Sequence, residues 1–489
     1  MSVQTDLADV TSAMEEWHFP ARYDQDYLPD PDSLYWFPHR ETMDPEQRKA
    51  AVLVRLREVM RHAYATSPFY RRKWAAVDCD PEDITSWEAF EAVPVVTKQE
   101  LRQAQIDAPP FGDYLCVPDE ELHHIHGTSG TTGTPTAFAI GRRDWQVIAD
   151  NHARILWGMG MRPGDTVFIS ALFSLYLGSW GALTAAERLR CRSFPYGAGA
   201  AGMTSRAVQW LARTKPKALY ATPSYALRLA EVAEQEKVDP REFGLKVMFF
   251  SGEPGASVPA VRDTIATSFG ALVIDCGTMA EMTPFMSASA TAGTPEGMLL
   301  WQDIVWHEVC DPETMRPVPY GSEGTPVYTH LERTSQPMIR LASGDLTRWV
   351  MEDNPCGRTY PRLPEGVYGR IDDMIQVRGE NVYPTEIDNF LRGLDGYAGE
   401  HRVIVTRSGS MDELLIRAEC AHADGPAHED FLRHAREGLH TMIGLRVGVE
   451  LVPAQTFERA EHKSRRVLDE RAHIRRPAAT RPTETGGTA

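Results

Sequence analysis

A short run of glycine and hydroxyl side chains is the strongest chemical signal in the sequence. Residues 126–136 read His-Gly-Thr-Ser-Gly-Thr-Thr-Gly-Thr-Pro-Thr, with three glycines, six threonines or serines and no large apolar side chain. Glycines let backbone N–H groups point toward an anion without interference from a Cβ atom, and hydroxyls add donors beside them. The run lacks the Gly-Lys-Ser/Thr of a Walker A loop. It therefore predicts a phosphate-binding loop of another kind, with a plain flexible turn as the alternative.

The elements that flank this loop must hold it in place. Leu122 to Ile125 and Ala137 to Ile140 have the pattern of short strands, so the loop is predicted at the tip of a hairpin. Strand and helix signals alternate from Thr166 to Asp275, which favours a parallel or mixed sheet covered by helices. Ligands of such sheets bind at the carboxyl ends of the strands. Because several of these strands run into polar or glycine-containing loops, we expect one shared site there.

Composition excludes several classes of protein. The 489 residues carry 51 Lys and Arg against 68 Asp and Glu, a net charge of -17 without a basic stripe, which argues against nucleic-acid binding. The first residues lack the basic start and apolar core of a signal peptide, and no apolar run is long enough to span a bilayer. We therefore expect a cytoplasmic protein with no membrane association, whose seven scattered cysteines form no disulfides.

The sequence divides near residue 372. Residues 1–371 combine an irregular N-terminal segment, the α/β pattern and a strand-rich stretch, which predicts a large α/β domain of mixed sheets covered by helices. Residues 373–474 give strand, helix, strand, strand, helix and strand signals, which predict a small α+β domain with a helix-backed antiparallel sheet. Residues 475–489 have the composition of a disordered tail.

Several short motifs, taken together and in order, resemble those of the adenylate-forming superfamily, and specifically of the phenylacetate–CoA ligase family. Each motif is weak alone, and their shared order is what makes the resemblance specific. They extend from about residue 50 to residue 471, which is most of the chain. The motifs are AYATSPFY at 63–70, PVVTK at 94–98, TSGTTG at 128–133, SGDLT at 343–347, GRIDDMI at 369–375, RGENVYP at 378–384 and HKSRRVLD at 462–469.

The resemblance implies a two-step reaction and an ATP site. Such enzymes join a carboxylic acid to ATP, giving an acyl-adenylate and pyrophosphate, and a thiol then displaces AMP. Charge builds on the phosphates, where backbone amides, hydroxyls, Mg²⁺ and a lysine can offset it. Asp345 would accept from both ribose hydroxyls and Arg370 would contact the ribose or a phosphate, although alone they fit a turn cap and a surface ion pair. The loop residues implied to bind the β- and γ-phosphates are Thr128, Ser129, Gly130, Thr131, Thr132 and Gly133.

The catalytic residues implied by the resemblance are Lys463 and Glu281. The Lys463 ammonium would bridge the substrate carboxylate and the α-phosphate during adenylation, and Glu281 would be a magnesium ligand. Asp372 is the implied hinge of a mobile C-terminal lid, which presents the segment around Gly379 to CoA in the second step. Without the resemblance, Lys463 lies in a charged run typical of a solvated face, Asp372 fits a surface turn, and Glu281 fits the acidic start of a helix.

Some positions depart from the family pattern. Thr134 stands where many relatives have lysine, His462 where they have glycine, and Gly277 where a tyrosine normally covers adenine. Some relatives also carry a zinc site, and one ligand of four cannot make a structural zinc site. We therefore expect no zinc, with the cysteine of the set a small buried apolar residue. The four positions read Thr291, Leu299, Asn354 and Cys356.

The acyl pocket is implied by the stretch LFSLYLGSWG at 172–181, which matches the family's aromatic and glycine-rich segment over the substrate. Tyr176 and Trp180 could stack an aryl ring, and they fit ordinary core aromatics equally well. By the same resemblance, Ser251, Gly252 and Met279 would line the pocket floor. The family favours phenylacetate, benzoates and other aryl acids.

The sequence thus predicts an AMP-forming aryl-CoA ligase that uses a carboxylic acid, ATP, Mg²⁺ and coenzyme A. The alternative is an adenylating enzyme that delivers its acyl group to a carrier protein or an amine, which the changes at Thr134 and Gly277 keep open. A third class is a non-catalytic descendant that binds a nucleotide or acid and regulates a partner. The joint retention of four residues argues against it, namely Asp345, Arg370, Glu281 and Lys463. Relatives are often dimers, so a homodimer is also left open.

Overall fold

The described residues form two compact units. The first comprises residues 17–371 and the second residues 375–471. Each unit has a hydrophobic core of its own. No helix in the described part of the chain is long and apolar enough to cross a membrane. The computed structural model describes residues 17–127, 136–197, 202–371, 375–378, 380–408, 411–458 and 466–471.

Local sequence signals set the helix ends. Asp44 caps the helix that follows it by accepting from the N–H groups of the next turn, and a proline opens that helix. Thr97 and Glu100 form a reciprocal capping box. The helices are α1 Pro38–Glu41, α2 Pro45–Thr66, α3 Pro68–Ala75, α4 Trp87–Glu91, α5 Lys98–Asp107, α6 Arg142–Gly158, α7 Leu177–Arg188, α8 Met203–Thr214, α9 Pro223–Gln235, α10 Pro259–Phe269, α11 Pro384–Arg392 and α12 Pro426–Ile443, with 3₁₀ turns at Pro81–Asp83, Asp119–Glu121, Pro240–Phe243, Ala280–Met282 and Phe285–Ser287.

Strands occur in both units, and the predicted alternation of strands and helices between residues 166 and 275 is confirmed. The hairpin predicted around the Gly/Thr loop is also present, because its two strands pair antiparallel. The strands are β1 Leu122–Gly127, β2 Ala137–Gly141, β3 Thr166–Ile169, β4 Arg192–Pro195, β5 Ala218–Ala221, β6 Val247–Phe250, β7 Leu272–Asp275, β8 Ala288–Thr291, β9 Thr294–Leu300, β10 Val305–Cys310, β11 Glu323–His330, β12 Leu341–Ala342, β13 Asp345–Arg348, β14 Arg362–Leu363, β15 Val367–Arg370, β16 Ile375–Val377, β17 Glu380–Val382, β18 Tyr397–Ser408, β19 Met411–Cys420, β20 Gly448–Pro453 and β21 Val467–Asp469.

A five-stranded parallel sheet lies in the first unit, with the spatial order β4-β3-β5-β6-β7. The residues of β5 and β6 are all buried, because the connecting helices cover both faces of the sheet. Because both faces are covered, the sequences of β5 and β6 are also almost entirely apolar. Besides the β1-β2 hairpin, this unit has two antiparallel sheets, one of the order β10-β11-β13-β15 with β12 beside β11, and one of the order β14-β9-β8. Parallel pairing brings the carboxyl ends of β3, β5, β6 and β7 to one edge.

The second unit contains a four-stranded sheet of the order β20-β19-β18-β21. The central strands β18 and β19 are antiparallel, whereas β20 and β21 join the two edges in parallel. The predicted antiparallel sheet is therefore wrong for the outer strand β20, and the outer strand β21 was not predicted. Helix α12 carries the chain from β19 to β20, and a crossover of that kind returns the chain in the same direction.

Buried charges hold the N-terminal segment on the first unit. Asp303 accepts hydrogen bonds from Arg40 Nε at 2.9 Å and from Arg154 Nη1 at 2.7 Å. It also accepts from the Tyr360 hydroxyl at 2.6 Å, and Glu41 accepts from Arg154 Nε at 3.0 Å. All five side chains are buried. Burial alone would raise the pKa of the Asp303 carboxyl, but Arg154 and Arg40 hold it well below its ordinary value.

We expect Asp303→Asn to lower the free energy of unfolding of the first unit by about 3–5 kcal/mol, because it leaves buried guanidinium groups without their carboxylate. Urea unfolding followed by tryptophan fluorescence measures this, since all eleven tryptophans precede residue 350. Asp263→Asn is the control: its side chain is 69% exposed beside Arg262, so it should cost less than about 1 kcal/mol. Equal urea midpoints for the two variants would contradict the prediction.

Candidate active site

Three hydroxyl groups meet at the carboxyl edge of the parallel sheet. Tyr220 lies near the end of β5, Ser251 follows β6, and Tyr176 precedes α7. The Tyr176 Oη atom lies 3.2 Å from Tyr220 Oη and 3.1 Å from Ser251 Oγ, and Tyr220 Oη and Ser251 Oγ are also hydrogen-bonded. Burial raises the pKa of both tyrosines, so each keeps its proton and can donate as well as accept. We call Tyr176, Tyr220 and Ser251 the hydroxyl cluster.

Glycines make the hydroxyl cluster sterically feasible. A Cβ atom on Gly252 would lie 2.9 Å from Tyr176 Oη, and the φ of Gly252 is +95°. A Cβ atom on Gly178 would lie 2.3 Å from Tyr220 Oη and 2.5 Å from the Tyr176 ring. Neither position can carry a side chain without displacing a tyrosine. Of the predicted pocket residues, Tyr176, Ser251 and Gly252 are thus brought together, and Tyr220 is a member that the sequence analysis missed.

The loop after β7 lies against the hydroxyl cluster. Gly277 has a φ of +138°, and a Cβ atom there would lie 3.2 Å from Ser251 Cβ. Gly277, where the resemblance implies a tyrosine, therefore lets the loop approach Ser251 closely. Met279 follows in the same loop, is 6% exposed and packs in the hydrophobic core that also contains Tyr220. Tyr176 packs against that core, and a role for Met279 in the pocket floor stays a prediction.

Glu281 is a buried carboxylate on the 3₁₀ turn of the same loop. Glu281 is 7% exposed, and its carboxylate forms no hydrogen bond or ion pair with another described residue. Its negative charge would attract a cation bound beside it. Oxygen ligands suit Mg²⁺, which is usually held by one or two carboxylates together with substrate phosphates. The position of Glu281 therefore fits the magnesium ligand implied by the sequence.

Asp345 and Arg370 are cross-strand neighbours. They stand opposite each other in the antiparallel pair of β13 and β15, with Arg370 Nε 3.9 Å from Asp345 Oδ1. Gly344, at a φ of +74°, makes the turn before β13, and the Asp345 N–H donates to Ser343 Oγ at 3.0 Å. The Asp345 side chain is 17% exposed. The arrangement suits a carboxylate that accepts from two vicinal hydroxyls beside a cation.

Trp180 lies in a different aromatic group. Its indole N–H donates to the Ser174 carbonyl at 2.8 Å, and its ring is 5.4 Å from Phe173 and 6.2 Å from His124. His124 is on β1 and stacks on Trp145 at 3.9 Å. These rings pack beside the strand that leads into the Gly/Thr loop. Stacking of an aryl substrate by Tyr176 and Trp180 stays a prediction.

The ends of the Gly/Thr loop are fixed, although the loop itself is outside the described residues. Gly127 and Ala137 face each other where β1 and β2 meet the loop. The Gln105 side chain accepts from the Ala137 N–H at 3.0 Å and donates to its carbonyl at 2.6 Å. Sequence reasoning missed this glutamine, which gave no signal beyond a helix position. Other calls also lie outside the described residues, namely Thr128, Ser129, Gly130, Thr131, Thr132, Gly133, Asp372, Gly379, Lys463 and the tail 475–489.

The four positions that match the zinc site of some relatives are buried. Cys356 is 8% exposed, as expected for a small buried residue, and its N–H donates to Thr294 Oγ1 at 3.2 Å. Its Cβ atom would be 2.9 Å from a Cβ atom on Gly293, so the contact is close. Asn354 donates to the carbonyls of Arg358 and Tyr360. That the protein binds no zinc stays a prediction for metal analysis.

Comparison with known proteins identifies the family. The model of AMP-binding enzymes matches residues 54–328, and the model of their C-terminal domain matches residues 379–471. Phenylacetate–coenzyme A ligase of Pseudomonas putida is 32% identical over 88% of this chain and 96% of its own length. The enzyme of the same name from Thermus thermophilus is 32% identical over 89% of this chain and 99% of its own length.

Solved structures extend the comparison. The chain is similar to 2-hydroxyisobutyryl-CoA ligase in the postadenylation state with 2-HIB-AMP, at 59% identity and a TM-score of 0.90, covering 94% of this chain and 97% of that one. It is similar to the same ligase in the thioesterification state with 2-HIB-AMP and CoA, at 60% identity and a TM-score of 0.74, covering 93% and 96%. The chain therefore belongs to the phenylacetate–CoA ligase family of adenylate-forming, AMP-forming CoA ligases.

Proposed function

We propose that this CoA ligase activates a short hydroxy carboxylic acid, in place of the aryl acid that the sequence predicted. The hydroxyl cluster carries the proposal, because it is a set of neutral donors and acceptors at the edge of the sheet. A buried site built to hydrogen-bond a substrate hydroxyl discriminates strongly against an analogue that lacks it. The identity of 58–60% with structures of 2-hydroxyisobutyryl-CoA ligase supports the same substrate class, against 30–32% with phenylacetate–CoA ligases.

The two steps assign roles to the residues of this chain. In the first, a substrate carboxylate oxygen attacks the α-phosphorus of ATP and pyrophosphate leaves. Asp345 accepts from the ribose hydroxyls, and Lys463 neutralises charge between the carboxylate and the α-phosphate. Glu281 would hold Mg²⁺, which supplies charge neutralisation on the phosphates. In the second step the sulfur of CoA attacks the acyl carbon and AMP leaves, after the second unit turns about Asp372 and presents the segment around Gly379.

An aryl acid is the second candidate substrate. The phenylacetate–CoA ligases among the relatives favour it, as do the aromatic side chains of Tyr176 and Trp180. Two features of the first unit favour the shorter acid. The Tyr176 hydroxyl is engaged by Tyr220 and Ser251, and glycines at 178 and 252 let its ring pack down onto the sheet edge. Delivery to a carrier protein or an amine is the alternative for the second step.

A panel of acids should show a kcat/KM for 2-hydroxyisobutyrate at least about 100-fold above that for phenylacetate or benzoate. Pyrophosphate release measures the first step, and the dependence of AMP release on CoA identifies the acceptor. Faster turnover of an aryl acid would overturn the substrate assignment. AMP release that is independent of CoA would overturn the acceptor.

Ser251→Ala should reduce the preference for 2-hydroxyisobutyrate over isobutyrate by about 10-fold, because a lost hydrogen bond in a buried site costs about 1–3 kcal/mol. The measurement is the ratio of the two kcat/KM values. Tyr320→Phe is a matched removal of a hydroxyl from a tyrosine that is 44% exposed, and it should leave that ratio unchanged. An equal fall in kcat/KM with both acids would mean that the hydroxyl cluster contributes to folding and not to substrate selectivity.

Lys463→Ala should lower ATP–pyrophosphate exchange by about 10³-fold or more, because it removes a cation from the charge that develops in the first step. Thioester formation from a synthetic acyl-adenylate and CoA should change by less than about 3-fold. Lys246→Ala, at an exposed position, is the control and should leave both activities unchanged. Exchange that survives in Lys463→Ala would remove the lysine from the mechanism.

A further inference from the structure

The second unit holds a buried ion cluster that includes Arg466, which follows Lys463 by three residues in the sequence. Arg466 Nε donates to Glu400 Oε1 at 2.6 Å, and Arg466 Nη2 donates to Glu400 Oε2 at 3.4 Å. Arg466 Nη1 also lies 3.6 Å from Asp388 Oδ2 on α11. The side chains of Glu400, Arg466 and Asp388 are 4%, 16% and 19% exposed. A two-pronged contact of this type fixes the direction of the guanidinium as well as its distance.

Backbone pairing ties the residues from Arg466 onward to the sheet. Strand β21 runs parallel to β18, with Val467 opposite Val403. The Val403 N–H donates to the Arg466 carbonyl at 2.8 Å, and the Glu470 N–H donates to the Val405 carbonyl at 2.9 Å. Arg466 is therefore held through its backbone and its side chain at once. Lys463 precedes it by three residues, and a chain of that length spans at most about 11 Å.

The chain before this segment is held on the same sheet. The Phe457 N–H donates to Glu419 Oε1 at 2.8 Å, and Glu419 is buried on β19. The Arg402 guanidinium lies 4.7 Å from the centre of the Phe457 ring. Arg402 Nη1 also donates to Glu400 Oε1 at 3.1 Å. Arg402 thus connects the fixed point at Phe457 with the Glu400–Arg466 pair.

We propose that Glu400 and Arg466 are positioning residues for adenylation, which with Arg402 and Phe457 fix both ends of the segment that carries Lys463. The inference rests on the proposed function, because it takes the Lys463 ammonium as the cation of the first step. A fixed base limits where that ammonium can go, and misplacement by about 1 Å can cost about 10²-fold in rate. The second step does not use Lys463, so it should not depend on the pair.

The test compares the two half-reactions in full-length variants. Arg466→Gln and Glu400→Gln should each lower ATP–pyrophosphate exchange by about 10²-fold. Thioester formation from a synthetic acyl-adenylate and CoA should stay within about 3-fold. Arg471→Gln is the matched control, since Arg471 lies beyond the other end of β21, pairs with Asp412 at 2.7 Å and is 20% exposed. It should change both activities by less than about 3-fold.

A second variant avoids leaving a buried charge without its partner. Phe457→Ala removes the half-buried ring beneath Arg402 and should lower exchange by about 10-fold with thioester formation retained. Equal losses in both half-reactions, or unchanged exchange in all three variants, would overturn the positioning role. Lys463→Ala separates the two proposals: if it leaves exchange intact, the proposed function fails, whereas loss of exchange in Lys463→Ala with normal exchange in Arg466→Gln defeats only the positioning role.

Discussion

The candidate site depends on a steric constraint at the carboxyl edge of the parallel sheet. Four strands end there, and the side chains that follow them converge only where no Cβ atom stands between them. Gly178 and Gly252 leave space for Tyr176 and Tyr220, and Gly277 leaves space for the next loop beside Ser251. Three glycines from three separate connections therefore bring the hydroxyl cluster together. Open parallel sheets bind their ligands at this edge, because the loops that follow the strands meet there.

Electrostatics divide the buried charges into two kinds. Asp303 and Glu41 in the first unit and Glu400 in the second have guanidinium partners at hydrogen-bond distance. Their cost of burial is offset within the fold, so they act as fixed points for the backbone around them. Glu281 is different, because no described residue supplies its counter-charge. A carboxylate without a partner in the fold is available to a ligand, which is a typical exception to local consistency in a functional site.

Much of the fold was predictable because its signals are local. The caps at Asp44 and Thr97 and the apolar runs of β5 and β6 are contained in a few residues each. The order of the motifs along the chain indicated the family and, through it, the candidate roles of Asp345 and Glu281. The predictions that failed concern elements whose pairing partners lie far away in the sequence. The outer strand β20 was expected to be antiparallel and is parallel. Strand β21 was missed because three residues beside a charged run carry no strand pattern.

Tyr220 shows the same limit at the site. A tyrosine in a strand of four buried residues looks like a core residue, and only the glycines at 178 and 252 reveal that its hydroxyl reaches the sheet edge. Arg466 is a related case. Its motif was recognised as a neighbour of Lys463, but its partner Glu400 lies on another strand and carries no motif of its own. Distance in sequence, not chemical type, separated what could be predicted from what could not.

Strand β21 also has a consequence for the order in which the chain can fold during synthesis. The parallel sheet of the first unit joins strands that follow one another closely, so each can dock soon after it leaves the ribosome. Strand β18, in contrast, keeps one edge unpaired until the much later β21 arrives. Until then the second unit presents an open sheet edge, with which a strand of another chain can pair.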